Sequence, residues 1–271
     1  MRFALWRISV TSKNDFCISS DERLDYVNEK ITLIQKKNGL TFGTDAFLLA
    51  AFIKENKRAR AADLGCGTGI ISLLCAAREK LSKIYAFEVQ ESFFDITKRN
   101  VDYNGFEDKI IPLLADIRNV NSSNTNGELD VVFANPPYMK TTSGKRNEAD
   151  EKFIARHEVM GTINDFCSCA SKLLKHGGKF YAVWRPDRLI DLIASMRAHK
   201  LEPKIMTFVH SDTESEPSMV LVCAVKGGNP SIKVTAPLIM HENYSQNSKS
   251  RPLSAKAQKI YDTLNFEHNE R

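Results

Sequence analysis

The chain has 271 residues, 42% of them hydrophobic, which suits one large folded domain and excludes a wholly disordered polymer. Its formal charge of +5 permits an anionic partner such as nucleic acid without requiring one. The six cysteines, Cys17, Cys66, Cys75, Cys167, Cys169 and Cys223, form no CxxC pair and sit mostly in apolar runs, which speaks for buried thiols and against a disulfide frame or a metal site.

The opening "MRFALWRISVTSKNDF" is too broken by charge for a signal peptide, and no apolar run reaches the length of a membrane span. A cytoplasmic protein without membrane contact is expected. Residues 1–25 carry little pattern and are expected as an N-terminal segment lacking order. "ITLIQKKNGLTFGTDAFLLAAFIK" reads as a short strand, a turn and a helix, with Thr44 or Asp45 as its cap and "AFLLAAFI" as its buried face. Strand and helix then alternate. "AADLGCGTG" is a strand entering a glycine loop, "IISLLCAAREK" a helix, "KIYAFEV" a strand, and "ESFFDITKRNVDYNG" a helix stopped by Gly105.

"KIIPLLAD" and "LDVVFANPPY" supply two more strands across a polar linker, and residues 139–160 form a long charged loop. "TINDFCSCASKLLKHGG" is a helix with a glycine stop, "KFYAVWRP" a strand, and "DRLIDLIASMRAHK" a helix. "KIMTFVH" and "SMVLVCAVKG", joined by "SDTESEP", are expected to pair as an antiparallel hairpin. The sum is an α/β fold with a doubly wound, mostly parallel seven-stranded sheet and a C-terminal antiparallel hairpin, over residues 26–228. Residues 229–271 are polar and are expected as an arm or tail.

"DLGCGTG" places Gly65, Gly67 and Gly69 at alternate positions between strand and helix, where a ligand can approach the backbone and meet helical N–H groups. A dinucleotide fingerprint reads GxGxxG; here the third glycine comes one residue early. Asp63, just before the loop, would repel a pyrophosphate and attract an ammonium. Glu88 ends the next strand, suited to ribose hydroxyls, and Asp116 ends the third, suited to an adenine amino group. A single acid at a strand end reads equally as a solvated cap. Three at consecutive strand ends beside GxGxG point to S-adenosylmethionine (AdoMet), which carries an ammonium and no phosphate.

"NPPY", residues 135–138, follows a strand directly, and two prolines cannot extend a ladder. The Asn135 side-chain carbonyl and the Pro136 backbone carbonyl can both accept from one –NH₂ group, drawing its hydrogens aside and freeing its lone pair to attack an electrophilic methyl. Tyr138 offers a face for stacking a planar base. The plainer reading is that the prolines merely end a strand and Tyr138 packs in the core. Asn135, Pro136 and Tyr138 are the expected catalytic set. Thr44, Asp63, Gly65, Gly67, Gly69, Glu88, Asp116 and Asn135 are the expected cofactor contacts, and no metal is expected.

"DLGCGTG", "FEV", "LAD" and "NPPY" together resemble class I amino-group methyltransferases. With "NGLTFGTDAFLLAAF", "ARHE" and "WRPDRL" the chain resembles the bacterial tRNA(Val) adenine-N6 methyltransferases over residues 22–240. That resemblance implies AdoMet as cofactor, tRNA (its anticodon stem-loop) as partner, and the adenosine 3′ of the anticodon as target. It also implies that Thr44 and Asp45 approach the cofactor side of the pocket. In the loop after "NPPY", Lys140, Lys145 and Arg146 are candidate phosphate contacts, against a default of a solvated loop, and His157 reads as structural. Lys249, Arg251, Lys256 and Lys259 are further RNA candidates in the tail.

Two other enzymes share the amino-nitrogen chemistry: a guanine-N2 methyltransferase of ribosomal RNA, and a glutamine-N5 methyltransferase of a release factor. The residues before Asp63 read as a short strand and helix rather than a sizeable helical domain, which disfavours the latter. A non-catalytic RNA-binding or assembly factor that retains AdoMet is the alternative from another class.

Overall fold

Strand β1 (Glu22–Asn28) pairs antiparallel with β2 (Ile31–Lys36) as a separate two-stranded sheet in a computed structural model that describes residues 18–37, 42–137, 161–241 and 251–266. Tyr138, the loop 139–160 with its candidate basic residues and His157, Cys17 and Lys249 lie outside the described residues. β1 begins at Glu22, inside the stretch expected to carry little pattern. Its alternation sets polar against half-buried positions, so an apolar periodicity does not reveal it.

The hairpin docks on helix α3 (Glu91–Asn104) through two asparagines one turn apart. Asn104 accepts from Thr32 N–H and donates to Thr32 C=O, both at 2.9 Å. Asn100 does the same for Ile34, at 2.7 and 3.1 Å. Side-chain amides spaced by four on a helix thus satisfy the free edge of β2 as another strand would.

Helix α1 (Thr44–Phe52) buries Leu48, Leu49, Ala50, Ala51 and Phe52, as expected. Its cap is neither Thr44 nor Asp45: Gly43 occupies that position and no side chain closes the first turn. Asp45 is engaged elsewhere. Strand β3 (Asn56–Leu64) leads into α2 (Ile70–Ala77), whose eight residues are all buried, and β4 (Leu81–Glu88) into α3. β5 (Ile110–Leu114) and β6 (Leu129–Ala134) follow, separated by two 3₁₀ turns.

Helix α4 (Ile163–Leu173) opens on a capping box between Thr162 and Asp165. The glycine stop expected at its end is not there. The chain passes at Leu174 straight into β7 (Leu174–Trp184), and Gly177 and Gly178 lie in the strand, where the pairing register with β6 shifts. Helix α5 (Leu189–Ala198) precedes β8 (Leu201–His210) and β9 (Pro217–Lys226), the expected antiparallel hairpin. Two-residue strands β10 (Lys233–Val234) and β11 (Leu238–Ile239) both pair with β8.

The large sheet runs β10-β8-β9-β7-β6-β3-β4-β5, with β9 inserted antiparallel between β7 and β8. This is the doubly wound, mostly parallel sheet expected, its seven long strands extended by two short ones. Period-two alternation divides the core. Ala61, Val131 and Phe133 face α1 and α2 on one side, while Ala62, Leu64, Val132 and Ala134 face α4 and α5 on the other.

The polar C-terminal stretch is packed. Helix α6 (Ala255–Thr263), capped by Ser254, buries Ala257 and Ile260, and the following Leu264 and Phe266 are buried too. Phe266 meets Phe52 of α1 edge-on at 5.3 Å, and Tyr261 stacks on Phe47 at 4.4 Å. The Lys80 ammonium, 3% exposed, donates to Ala50 and Ala51 C=O at the end of α1 and to Leu264 C=O just after α6, at 2.8–3.0 Å. Among the described residues no helix is long and apolar enough to cross a membrane.

Candidate active site

The chain order reverses between β3, which pairs with β4, and β6 on its other side. Ligands of such sheets bind beyond the carboxyl ends of the strands at this reversal. Asp63 and the glycine loop follow β3, Glu88 ends β4, and Asn135 is the first residue after β6. Three expected groups therefore converge from separated parts of the chain.

The loop is stitched from behind. Thr97 Oγ1–H donates to Gly67 C=O at 2.6 Å, and Asn100 Nδ2–H donates to Thr68 C=O at 2.9 Å. Gly67 has φ +59° and a methyl group there would meet no atom within 4 Å, so the backbone is strained for any other residue while open space lies before it. Thr97 and Asn100 were not singled out from the sequence. Their signal was available as polar residues on the buried face of an amphipathic helix.

Asp63 is 1% exposed and accepts from Ser72 Oγ–H at 2.7 Å on Oδ2. Its Oδ1 is buried with no hydrogen-bond partner among the described residues. Burial pushes its carboxyl up to about 7, with the nearby Glu88 charge adding to the effect. An orphaned carboxylate oxygen at the mouth of a glycine loop is what a cationic ammonium would complete, so the site fits AdoMet.

Glu88 is buried and accepts three backbone N–H groups, from Gly67, Val89 and Gln90, each at 2.9 Å. Burial nevertheless holds its carboxyl above the usual range. The Gln90 side chain donates to it as well, so a ribose hydroxyl would have to share or displace that contact. Asp116 differs. Its carboxylate caps the first 3₁₀ turn by accepting from Arg118 N–H at 2.9 Å and pairs with the Arg118 guanidinium, which holds it below the ordinary carboxylate range. It stands two residues beyond the end of β5, as a cap engaged by a neighbour rather than as the last strand residue.

Asn135 is half-buried, Pro136 buried. Asn135 Nδ2–H donates to Asp45 Oδ2 at 2.9 Å, across ninety residues of sequence. On the Asp45 side a cleft of about 680 Å³ opens, walled by Thr44, Asp45, Trp184, Arg185, Glu216 and Met219, a size that suits a small molecule or one extruded base. Thr44 lies at its rim, its hydroxyl 3.5 Å from that of Tyr261. Glu216, just before β9, and Met219 within it carried no sequence signal, because their place depends on how β9 inserts.

A family model described as methyltransferase small domain matches residues 36–199. The chain is 27% identical over 194 residues to a tRNA1(Val) (adenine(37)-N6)-methyltransferase of Phocaeicola vulgatus, covering 72% of this chain and 80% of that one. It is 27% identical over 185 residues to the protein of the same name from Porphyromonas gingivalis, covering 66% and 72%. The fold superposes on the crystal structure of a protein from Agrobacterium tumefaciens described as a predicted O-methyltransferase, with TM-score 0.64, 24% identity, and coverage of 82% and 97%. The matched family region runs from the end of β2 to the end of α5 and takes in the whole glycine loop and Asn135, so the chain belongs to the methyltransferase small domain family.

Proposed function

We propose that this protein transfers the methyl group of AdoMet to the exocyclic N6 amine of an adenosine in tRNA, the adenosine 3′ of the anticodon in a valine tRNA. The observation that carries the reading is Asn135: an amide at the carboxyl end of β6, tethered by Asp45, which itself walls an open cleft. The names of the relatives from P. vulgatus and P. gingivalis support the substrate.

The cofactor, when bound, supplies a methyl on a positively charged sulfur. Asp63 Oδ1 would hold its ammonium, Glu88 a ribose hydroxyl, and the open face of Gly67 would let it lie against the backbone, whereas a side chain at Gly65 or Gly69 would press on Phe166 or Thr97. Asp116 reaches an adenine amine only if its pairing with Arg118 yields, and Thr44 borders the same pocket. The Asn135 side-chain carbonyl and the Pro136 backbone carbonyl take the two hydrogens of the target amine, orienting its lone pair toward the methyl. Tyr138 follows directly in sequence and is assigned the stacking role. No role falls to a metal in this reading. The partner is the anticodon stem-loop, in the cytoplasm.

Nucleoside analysis of valine tRNA from cells with and without the protein tests this, with loss of N6-methyladenosine expected. Unchanged N6-methyladenosine, or transfer in vitro to ribosomal RNA or a release factor in place of tRNA, overturns it.

A further inference from the structure

We propose that Asp45 is a positioning residue, which locks the Asn135 amide in the one orientation that turns its carbonyl toward the target amine. The proposal rests on the methyl-transfer reading above. A side-chain amide has two orientations related by a half-turn, nearly equal in shape and opposite in chemistry. With Nδ2 donating to Asp45 Oδ2 at 2.9 Å, Oδ1 is carried on the opposite side of the amide. The flipped amide would set its oxygen against a carboxylate oxygen, replacing a charge-assisted hydrogen bond with repulsion. Asp45 also polarises the amide, because donation from the nitrogen to an anion strengthens the carbonyl at the other end as an acceptor.

Two further features fit this role. Asp45 lies in the first turn of α1 and Gly43, not Asp45, holds the cap position, so closing the turn does not account for the carboxylate. Gly43 has an ordinary φ of −116°, yet a methyl group there would sit 2.8 Å from Asp45 Oδ1. An alanine at 43 would therefore push that carboxylate, the movable end of its side chain, away from its present place. The competing explanation is that Asp45 merely favours the positive end of the helix.

The test uses the full chain, an unmodified tRNA(Val) transcript and AdoMet. Asp45→Ala is expected to lower kcat on the order of 10- to 100-fold, with the AdoMet Kd within about twofold of wild type. Asp45→Asn, whose amide can donate as well as accept and so no longer excludes the flipped Asn135, is expected to recover only part of that loss. Gly43→Ala, which leaves Asp45 chemically intact, should also lower kcat. Asp45→Ala should cost nothing further when added to Asn135→Ala, since the two act as one unit. Wild-type kcat in Asp45→Ala beside an inactive Asn135→Ala overturns this proposal alone. So does a defect confined to AdoMet affinity or melting temperature, or wild-type kcat in Asp45→Asn. Full activity of Asn135→Ala overturns both this proposal and the reading beneath it.

Discussion

The two walls of the site are built differently. The glycine-loop wall is held by many short contacts: Thr97 and Asn100 fix the loop carbonyls, three N–H groups fix Glu88, and Ser72 fixes one side of Asp63. The other wall presents one amide tethered to Asp45, and Asp45 itself borders about 680 Å³ of open space. A cofactor of constant shape suits a rigid wall whose ordering is already complete. A base arriving from a larger RNA suits a wall with space and one oriented group.

That contrast can be broken from either side. Asn135→Ala should have the largest effect, reducing kcat on the order of 10²- to 10³-fold in a methyl-transfer assay while leaving AdoMet affinity nearly unchanged. Asp63→Asn should do the reverse, weakening AdoMet on the order of 10- to 100-fold by calorimetry with a smaller change in kcat at saturating cofactor, because it removes the charge awaiting an ammonium.

Asp63 also sets a pH dependence. Its folded carboxyl titrates near about 7 while an unfolded Asp titrates near 3.8. Between those values the folded state holds the proton that the unfolded chain has lost, so this contribution to stability is full below 3.8, declines as pH rises and is gone above about 7. Melting of the cofactor-free protein should show that decline, and Asp63→Asn should flatten it. An ammonium favours the ionised form, so AdoMet affinity should rise with pH up to about 7, with proton release detectable by calorimetry in buffers of different ionisation enthalpy.

Thr97→Val should raise the AdoMet Kd by roughly threefold to tenfold, since it leaves the Gly67 carbonyl without its partner. Tyr261→Leu should be smallest, costing about 1 kcal/mol in stability through loss of the stack on Phe47 and changing kcat by less than about twofold.

What was legible in the sequence was local. The βα alternation, the glycine loop and the acids ending β3 and β4 are all written in short windows, and so is the abrupt end of β6 at Asn135. Asp116 falls two residues past β5 as the cap of a 3₁₀ turn, and its pairing with Arg118 is a matter of side-chain geometry that spacing does not encode. Asp45 read as a helix cap because its partner lies ninety residues away. The place of β9 between β7 and β8 is equally non-local, and with it the identity of the cleft wall. Residues after 228 looked solvated because a helix that buries only Ala257 and Ile260 on one stripe leaves most of its surface polar.

The lysine clamped by the ends of α1 and α6 has a practical consequence. With its amine surrounded by three main-chain oxygens, Lys80 is shielded from acylating reagents for as long as the terminal helix stays seated. Its labelling rate, read by mass spectrometry against the exposed lysines, is therefore a built-in clock for how often that helix lifts away.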